Sequence, residues 1–339
     1  MAVYTQLGAE SLAAIIAEFD VGELVSAKGI AEGVSNSNWL IDTAGQDGAS
    51  SGKGGARFIL TMYEARTDIS DLPFFLGLLD HLAARHCPVP RTIHDRAGQA
   101  YRLHDGKALA LIEFLPGVSV SEPTPAQARA VGAALAQVHL AAADFAGRRA
   151  NSLGPKDWQS LAKACDSEGL ASIHPELATL VERELARLER QWPSDLPHSV
   201  IHADLFPDNV LMLGDKVTGL IDFYFACHDI TAYDLAVTHA AWCFSNDGSR
   251  FDAALSEALL AGYETVRPLL AEERAALPVL ARGAAMRFLM TRAYDWMNTP
   301  EGALVTRKDP LAFARRLEFY GAPANAGLFD PAAEMRTKP

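Results

Sequence analysis

Cysteine is scarce in this sequence, and the few present form no motif. Cys87, Cys165, Cys227 and Cys243 are four thiols in 339 residues. No two form a CxxC pair, and no histidine cluster accompanies them at zinc-ligand spacing. That excludes a zinc-finger or disulfide scaffold and predicts four buried, reduced thiols. Positive charge is also short: 30 Lys and Arg stand against 42 Asp and Glu, a formal net charge of −12. An acidic surface repels phosphate backbones and anionic lipid, so neither nucleic acid nor a membrane is an expected partner. A nucleotide is not excluded, because one or two magnesium ions neutralise its charge locally. No apolar run reaches the ~18 residues of a membrane-spanning helix. The opening stretch, MAVYTQLGAESLAAIIAEFD, is acidic and lacks the basic start of a secretory signal, so a cytoplasmic protein is expected. Internal repeats of 20–50 residues are absent, and a homo-oligomer is compatible with what remains.

What is present is a balance of 49% apolar and 21% charged residues, the make-up of a soluble protein with a sizeable core. The length suits two lobes better than one ordinary domain. Residues Glu10 to Phe19 read as an amphipathic helix with Leu12, Ile15, Ile16 and Phe19 on one side. Val34–Asp42 and Arg57–Tyr63 read as strands, and the glycine- and serine-rich stretch between them as a flexible hairpin tip. A helix is expected at about Asp71–His86, then a strand pair at Tyr101–Leu103 and Lys107–Leu115. Beyond Pro116-Gly117 the pattern becomes helical: Thr124–Ala143, Leu177–Gln191, Asp252–Glu264 and Glu272–Tyr294, with short strands at 199–201, 210–213 and 219–222. This segregation predicts an α+β fold: a small β-rich lobe over residues 1–115, then a mainly helical lobe over 116–339, with ligand in the cleft between them.

The densest chemistry lies in SVIHADLFPDNVLML, residues 199–213. An apolar strand delivers His202, Asp204 and Asn209 into a loop, and a second apolar strand leaves it. Asp222 follows on a third, in Ile221-Asp222-Phe223. Phosphoryl transfer needs a carboxylate to orient the attacking hydroxyl and accept its proton. It also needs hard oxygen ligands to hold magnesium against the phosphates. Asp204 and Asn209 stand five apart, the offset of a kinase catalytic loop, and an Asp-Phe pair follows.

These residues closely resemble the aminoglycoside phosphotransferase and choline kinase family, whose pattern is H-x-D-x-x-x-x-N followed by I-D-[FW]. The resemblance implies a two-lobed protein-kinase-like fold, ATP and Mg2+ as cofactors, and Asp204 as catalytic base. It implies Asn209 and Asp222 as metal ligands, and Asp234 in AYDLA as a brace of the catalytic loop. His202 is expected to orient that loop rather than move protons. His139, at the end of an apolar helix, is expected to pack in the core. GVSNSNWLI fits the turn over the nucleotide phosphates, with Gly33 for a tight backbone and Ser35, Asn36 and Ser37 as donors. Glu113 and Leu115 are expected to pair with adenine through their backbones. One departure stands out: Thr61 occupies the place of the usual phosphate-gripping lysine, and Arg66, Lys53 and Lys28 are the candidates to replace it. The P-loop-like stretch from Gly48 to Lys53 is one residue short of G-x-x-x-x-G-K and lacks the metal-binding Ser or Thr, so it is read as a surface loop.

Within that family, residues 221–244 and 294–310 resemble most the members that phosphorylate homoserine. The resemblance spans about residues 1–322 and implies a small hydroxylated amino-acid substrate. Such a zwitterion needs a cation for its carboxylate, which points to Arg292 or Arg287, and an acceptor for its ammonium, which points to Asp229 or Asp295. Choline, an aminoglycoside or another amino alcohol are alternatives on the same fold. Trp242, Phe244, Tyr294 and Trp296 could form a cage for choline. A non-catalytic nucleotide-binding regulator is a further alternative, supported by Thr61. A protein-substrate kinase is disfavoured by the lack of an activation loop or A-P-E segment after Asp222.

Overall fold

The structure is a computed structural model that describes residues 6–30, 36–45, 55–64, 68–299 and 307–330. Ser35, Gly33, Arg66, Lys53 and the hairpin tip at 46–54 lie outside the described residues. The chain divides into two compact units, residues 1–117 with 145–147, and 118–144 with 148–339.

The first unit carries an antiparallel sheet of β1 (Leu24–Ile30), β2 (Asn36–Thr43), β3 (Arg57–Tyr63), β4 (Thr92–Ile93), β5 (Arg102–His104) and β6 (Lys107–Glu113). The strand order is β1-β2-β3-β6-β4, with β5 also paired to β6. Alternation along β2, β3 and β6 sends Trp39, Ile41, Phe58, Leu60, Met62, Leu109 and Leu111 to one face. There they pack with Leu12, Ile15, Ile16 and Phe19 from helix α1 (Ala9–Ala17). Ile59, Thr61, Tyr63 and Ala110 alternate with them and so belong to the other face. Helix α2 (Leu72–Ala83) has Pro73 in its first turn. Its Phe74 meets Phe145 edge-on at 5.6 Å, which is why residues 145–147 pack with this unit.

The second unit is mostly helical: α3 (Pro125–Ala141), α4 (Pro155–Cys165), α5 (Ser167–Ile173), α6 (Leu177–Gln191), α7 (Thr231–Trp242), α8 (Ala253–Val266), α9 (Ala271–Asn298) and α10 (Leu311–Gly321). Two short antiparallel pairs stand among them, β7 (His198–Ile201) with β10 (Cys227–Ile230), and β8 (Val210–Leu213) with β9 (Lys216–Leu220). α3 begins in a capping box, with Thr124 accepting from Gln127 N–H and the Gln127 side chain accepting in return. Gly132 on α3 and Gly262 on α8 let these two backbones touch. A Cβ at Gly132 would sit 2.1 Å from the Leu259 carbonyl oxygen, and one at Gly262 would sit 2.0 Å from that of Arg129. Every residue of α7 is buried, so this helix forms the centre of the unit. All four cysteines are buried and free. Among the described residues no helix is long and apolar enough to cross a membrane.

His239 on α7 is fully enclosed, its ring nitrogens meeting the Tyr320 hydroxyl at 2.7 Å and the Ser256 hydroxyl at 2.8 Å. Burial holds its pKa down at about 3. The unfolded chain therefore takes up this proton near pH 6.5 and the folded chain does not, so stability is lost as pH falls below 6.5 toward 3. At pH 4.5 the loss should be about 2–3 kcal/mol relative to pH 7. Urea midpoints at both pH values check this: His239→Gln should lower stability at pH 7 yet show a smaller further drop at pH 4.5. An equal drop in both proteins would refute it.

Candidate active site

The loop after β7 is held from beneath by one carboxylate. Asp234, in the first turn of α7 and with no solvent exposure, accepts from His202 N–H (Oδ2, 2.7 Å) and from Ala203 N–H (Oδ1, 2.7 Å). His139 of α3 reaches the same Oδ2 at 3.0 Å and is itself met by the Tyr263 hydroxyl at 2.8 Å. Burial alone would raise this carboxyl, but the bond to His139 and the backbone donors outweigh it and keep its pKa below the ordinary value. The peptide so gripped is an unusual one, since Ala203 has φ +65°, a left-handed conformation that costs a residue with a Cβ.

His202 is also fully buried. Its Nε2 lies 2.9 Å from the Ile221 carbonyl and its Nδ1 accepts from Asp204 N–H at 3.2 Å. Burial lowers its pKa, which suits a neutral ring that donates from Nε2 and accepts at Nδ1. The ring thereby ties the Asp204 loop to the residue preceding Asp222, and rests on Phe223 at 4.4 Å.

Asp204 follows, partly exposed. Asn209, in the short 3₁₀ turn Pro207–Asn209, donates from Nδ2 to the Asp204 carbonyl at 2.8 Å and approaches its carboxylate at 3.4 Å. With its nitrogen committed, the Asn209 amide has its oxygen left for a cation. Asp222 has φ +65°, and its backbone leads into the 3₁₀ turn Phe223–Phe225. Burial pushes the Asp204 carboxyl up to about 7; Asp222 adds to the rise, while Arg287 and Lys308 oppose it. Asp222 is raised to about 6, by burial first and then by Asp208. Solvent nevertheless reaches the Asp222 carboxylate, which keeps part of its hydration and moderates that rise.

Two carboxylates of raised pKa, one of them pushed up partly by the other, beside an amide oxygen form a set of hard donors that a divalent cation would relieve. No group of three His, Cys, Asp or Glu that could hold a metal ion occurs among the described residues, so these residues alone supply no full cage. Magnesium fits such a place, since it keeps several waters and phosphate oxygens beside one or two protein ligands.

The other expected residues fall in different places. Arg292 is half-buried, its guanidinium 4.5 Å from the Phe313 ring and its Nη1 3.2 Å from the Asp309 carbonyl, and its charge is felt by Asp204 and Asp208. Arg287 differs from expectation. It is 2% exposed and donates to the Ala203 carbonyl, so it is enclosed under the loop rather than open to a dissolved substrate. Asp229 also differs. Its oxygens are taken by Asn151 at 2.6 Å and Ile230 N–H at 2.7 Å, and it pairs with Ser199, away from the end of β7 that leads into the loop. Asp295 is exposed on the last turns of α9. The four aromatics do not form a cage: Trp242 and Phe244 are buried in the core, with Trp242 donating to the Leu205 carbonyl, while Tyr294 and Trp296 are exposed.

In the first unit, Thr61 is buried and donates to Asn38 Oδ1 at 2.8 Å, its cross-strand partner. Ser37 donates to Glu64 at 2.7 Å, and Glu64 N–H approaches Asn36 Oδ1 at 3.4 Å. Glu64 also holds Lys107 at 2.5 Å, a cation that sequence reasoning missed because it merely begins a strand. Lys28 is exposed on β1. Glu113 is fastened to Arg91 through its N–H at 2.9 Å and its carboxylate at 3.2 Å. Among the described residues no backbone hydrogen bond engages Leu115.

Comparison with known proteins identifies the family and the fold. The model of the phosphotransferase enzyme family matches residues 26–269. The amicoumacin kinase hAmiN, solved with AMP-PNP and Ca2+, shares the fold with a TM-score of 0.69 at 14% identity, over 93% of each chain. The chain thus belongs to the phosphotransferase enzyme family, has its α+β kinase-like fold, and is a small-molecule kinase. Its similarity narrows further: it is 50% identical over 333 residues to a homoserine kinase of Azorhizobium caulinodans, covering 98% of this chain and 100% of that one. A homoserine kinase of Xanthobacter autotrophicus matches to the same extent.

Proposed function

We propose that this enzyme transfers the γ-phosphoryl group of ATP to the side-chain hydroxyl of L-homoserine, giving O-phosphohomoserine for threonine biosynthesis. The observation that carries the reading is half-identity to homoserine kinases along nearly the whole chain, combined with Asp204 and Asn209 in contact on one loop.

Asp204 orients the hydroxyl and takes its proton as the new O–P bond forms and ADP leaves, a contribution of roughly 10²–10⁴-fold in rate. Asn209 and Asp222 would hold magnesium, which would offset the phosphate charge. His202 and Asp234 fix the loop so that Asp204 need not reorganise during transfer. Asn36, Ser37, the backbones of Glu113 and Leu115, and Ser35, which lies outside the described residues, are the proposed nucleotide contacts, with Lys107 joining them as a cation beside Ser37 through Glu64.

Arg292 is the proposed grip on the substrate carboxylate, for its charge acts on Asp204 while its ring-stacked guanidinium is held in place. Arg292→Met should raise the homoserine KM about 10²-fold, with the KM for ATP within a factor of about three, since only a charged hydrogen bond to the acceptor is lost. Steady-state kinetics in both substrates read this, and an unchanged homoserine KM would remove Arg292 from the site.

The deciding experiment is a panel of hydroxylated acceptors with coupled detection of ADP. Homoserine should exceed choline, ethanolamine and aminoglycosides in kcat/KM by orders of magnitude. A preference for any of the others would overturn the substrate assignment.

A further inference from the structure

The guanidinium of Arg287 is an unexplained feature of the second unit. It is a cation on α9, 2% exposed, and its Nη1 donates to the carbonyl of Ala203. Its Cζ stands 4.6 Å from the centre of the Phe288 ring and 5.4 Å from that of Phe225. Its Nε is buried and has no hydrogen-bond partner among the described residues, and the buried Tyr233 hydroxyl lies beside the guanidinium. A charge kept so deep with incomplete pairing is costly to stability, so its retention calls for a role in geometry.

The contacts indicate one. Asp234 takes the N–H of Ala203 and Arg287 takes its carbonyl, so a buried anion and a buried cation grip the two ends of a residue at φ +65°. That peptide leads directly into Asp204. The same guanidinium lies against Phe225, the last residue of the turn that Asp222 opens. One side chain therefore touches both the Asp204 loop and the Asp222 turn.

We infer that Arg287 is a positioning residue which clamps the Ala203 peptide and sets the spacing between Asp204 and Asp222. The inference rests on the phosphotransfer reading above. Removing the clamp lets the strained peptide relax and swings Asp204 away from the acceptor hydroxyl. It also shifts Asp222 relative to Asn209.

Arg287→Met and Arg287→Lys, with Phe225→Leu as a third variant, test this. Phe225 is 42% exposed, so its replacement leaves the core intact. Both Arg287 variants should lose about 10²-fold in kcat, and lysine should not rescue, because it lacks the planar fork that donates and stacks together. The magnesium concentration for half-maximal rate should rise about tenfold. Calorimetry should show MgADP binding weakened to a similar degree without any acceptor present. The acceptor KM should stay within about threefold. Phe225→Leu should lower kcat severalfold in the same pattern, and it decides the matter if both Arg287 variants fail to fold.

A higher acceptor KM at preserved kcat would instead make Arg287 a substrate grip and overturn the inference. So would an unchanged kcat per folded molecule and unchanged magnesium dependence. If the wild-type protein prefers an acceptor other than homoserine, the same kinetics are read with that acceptor, and the MgADP measurement needs none. The two failures are therefore distinct.

Discussion

Asp204→Asn should abolish turnover while leaving the ligand-free protein more stable at pH 8 than the wild type. The rate loss follows from removing the base, roughly 10²–10⁴-fold or more. The stability gain follows from the same surroundings. The Asp204 carboxyl is pushed from 3.8 to about 7 by burial, with Asp222 adding to the rise. A carboxyl whose folded pKa is raised favours folding in its protonated form. That contribution is complete below about pH 4 and is lost as pH rises through 7. At pH 8 the wild type holds an ionised group that its site disfavours, and asparagine does not. Because water reaches part of the carboxylate, the expected gain is discounted to ~1–3 kcal/mol. Urea unfolding of both proteins at pH 5 and pH 8 measures it. The difference should grow with pH, and a variant less stable than the wild type at pH 8 would contradict the electrostatic account.

Asp234→Ala should be the most destabilising single change at the site, although Asp234 touches no substrate. It accepts His202 N–H, Ala203 N–H and the ring of His139, and all of them are buried. Removing it leaves two backbone donors and a histidine without their acceptor, and among the described residues no other group accepts from Ala203 N–H. A loss of about 3–5 kcal/mol is expected, the scale for breaking a buried charged network by deleting one member. Turnover of the surviving folded fraction should also fall sharply, because Asp204 follows the freed peptide. Hydrogen exchange at the His202 and Ala203 amides gives a second readout. Slow exchange retained in the variant, together with a loss under ~1 kcal/mol, would show that another group braces the loop.

Part of this architecture could be read in the amino-acid order. β3 was legible because its residues alternate between an apolar and a mixed face. α6 was legible because charge lines one side and leucine the other. The catalytic loop was legible because apolar strands bracket polar residues at a fixed offset. α7 was not, since all twelve of its residues are buried and an all-round apolar helix has no periodic face to detect. β1 escaped for the opposite reason: five of its seven residues are exposed on an edge strand. Arg287 showed itself as a charge on a helix, but its partner Ala203 lies 84 positions away. Nothing local separates an arginine that grips a peptide from one that greets a substrate. Asp229 misled similarly, because only the strand register reveals which end of β10 it occupies.

The glycine contact between α3 and α8 has a consequence for the order of assembly. Gly132 and Gly262 bring His139 within reach of Tyr263, and His139 in turn steadies Asp234. The ribosome therefore releases the catalytic loop well before α8, which backs it through Tyr263 and His139. A nascent chain halted between residues 235 and 252 would hold Asp204, Asn209, Asp222 and Asp234 but not Tyr263, which backs His139. Newly made protein should gain activity only once α8 has emerged and docked.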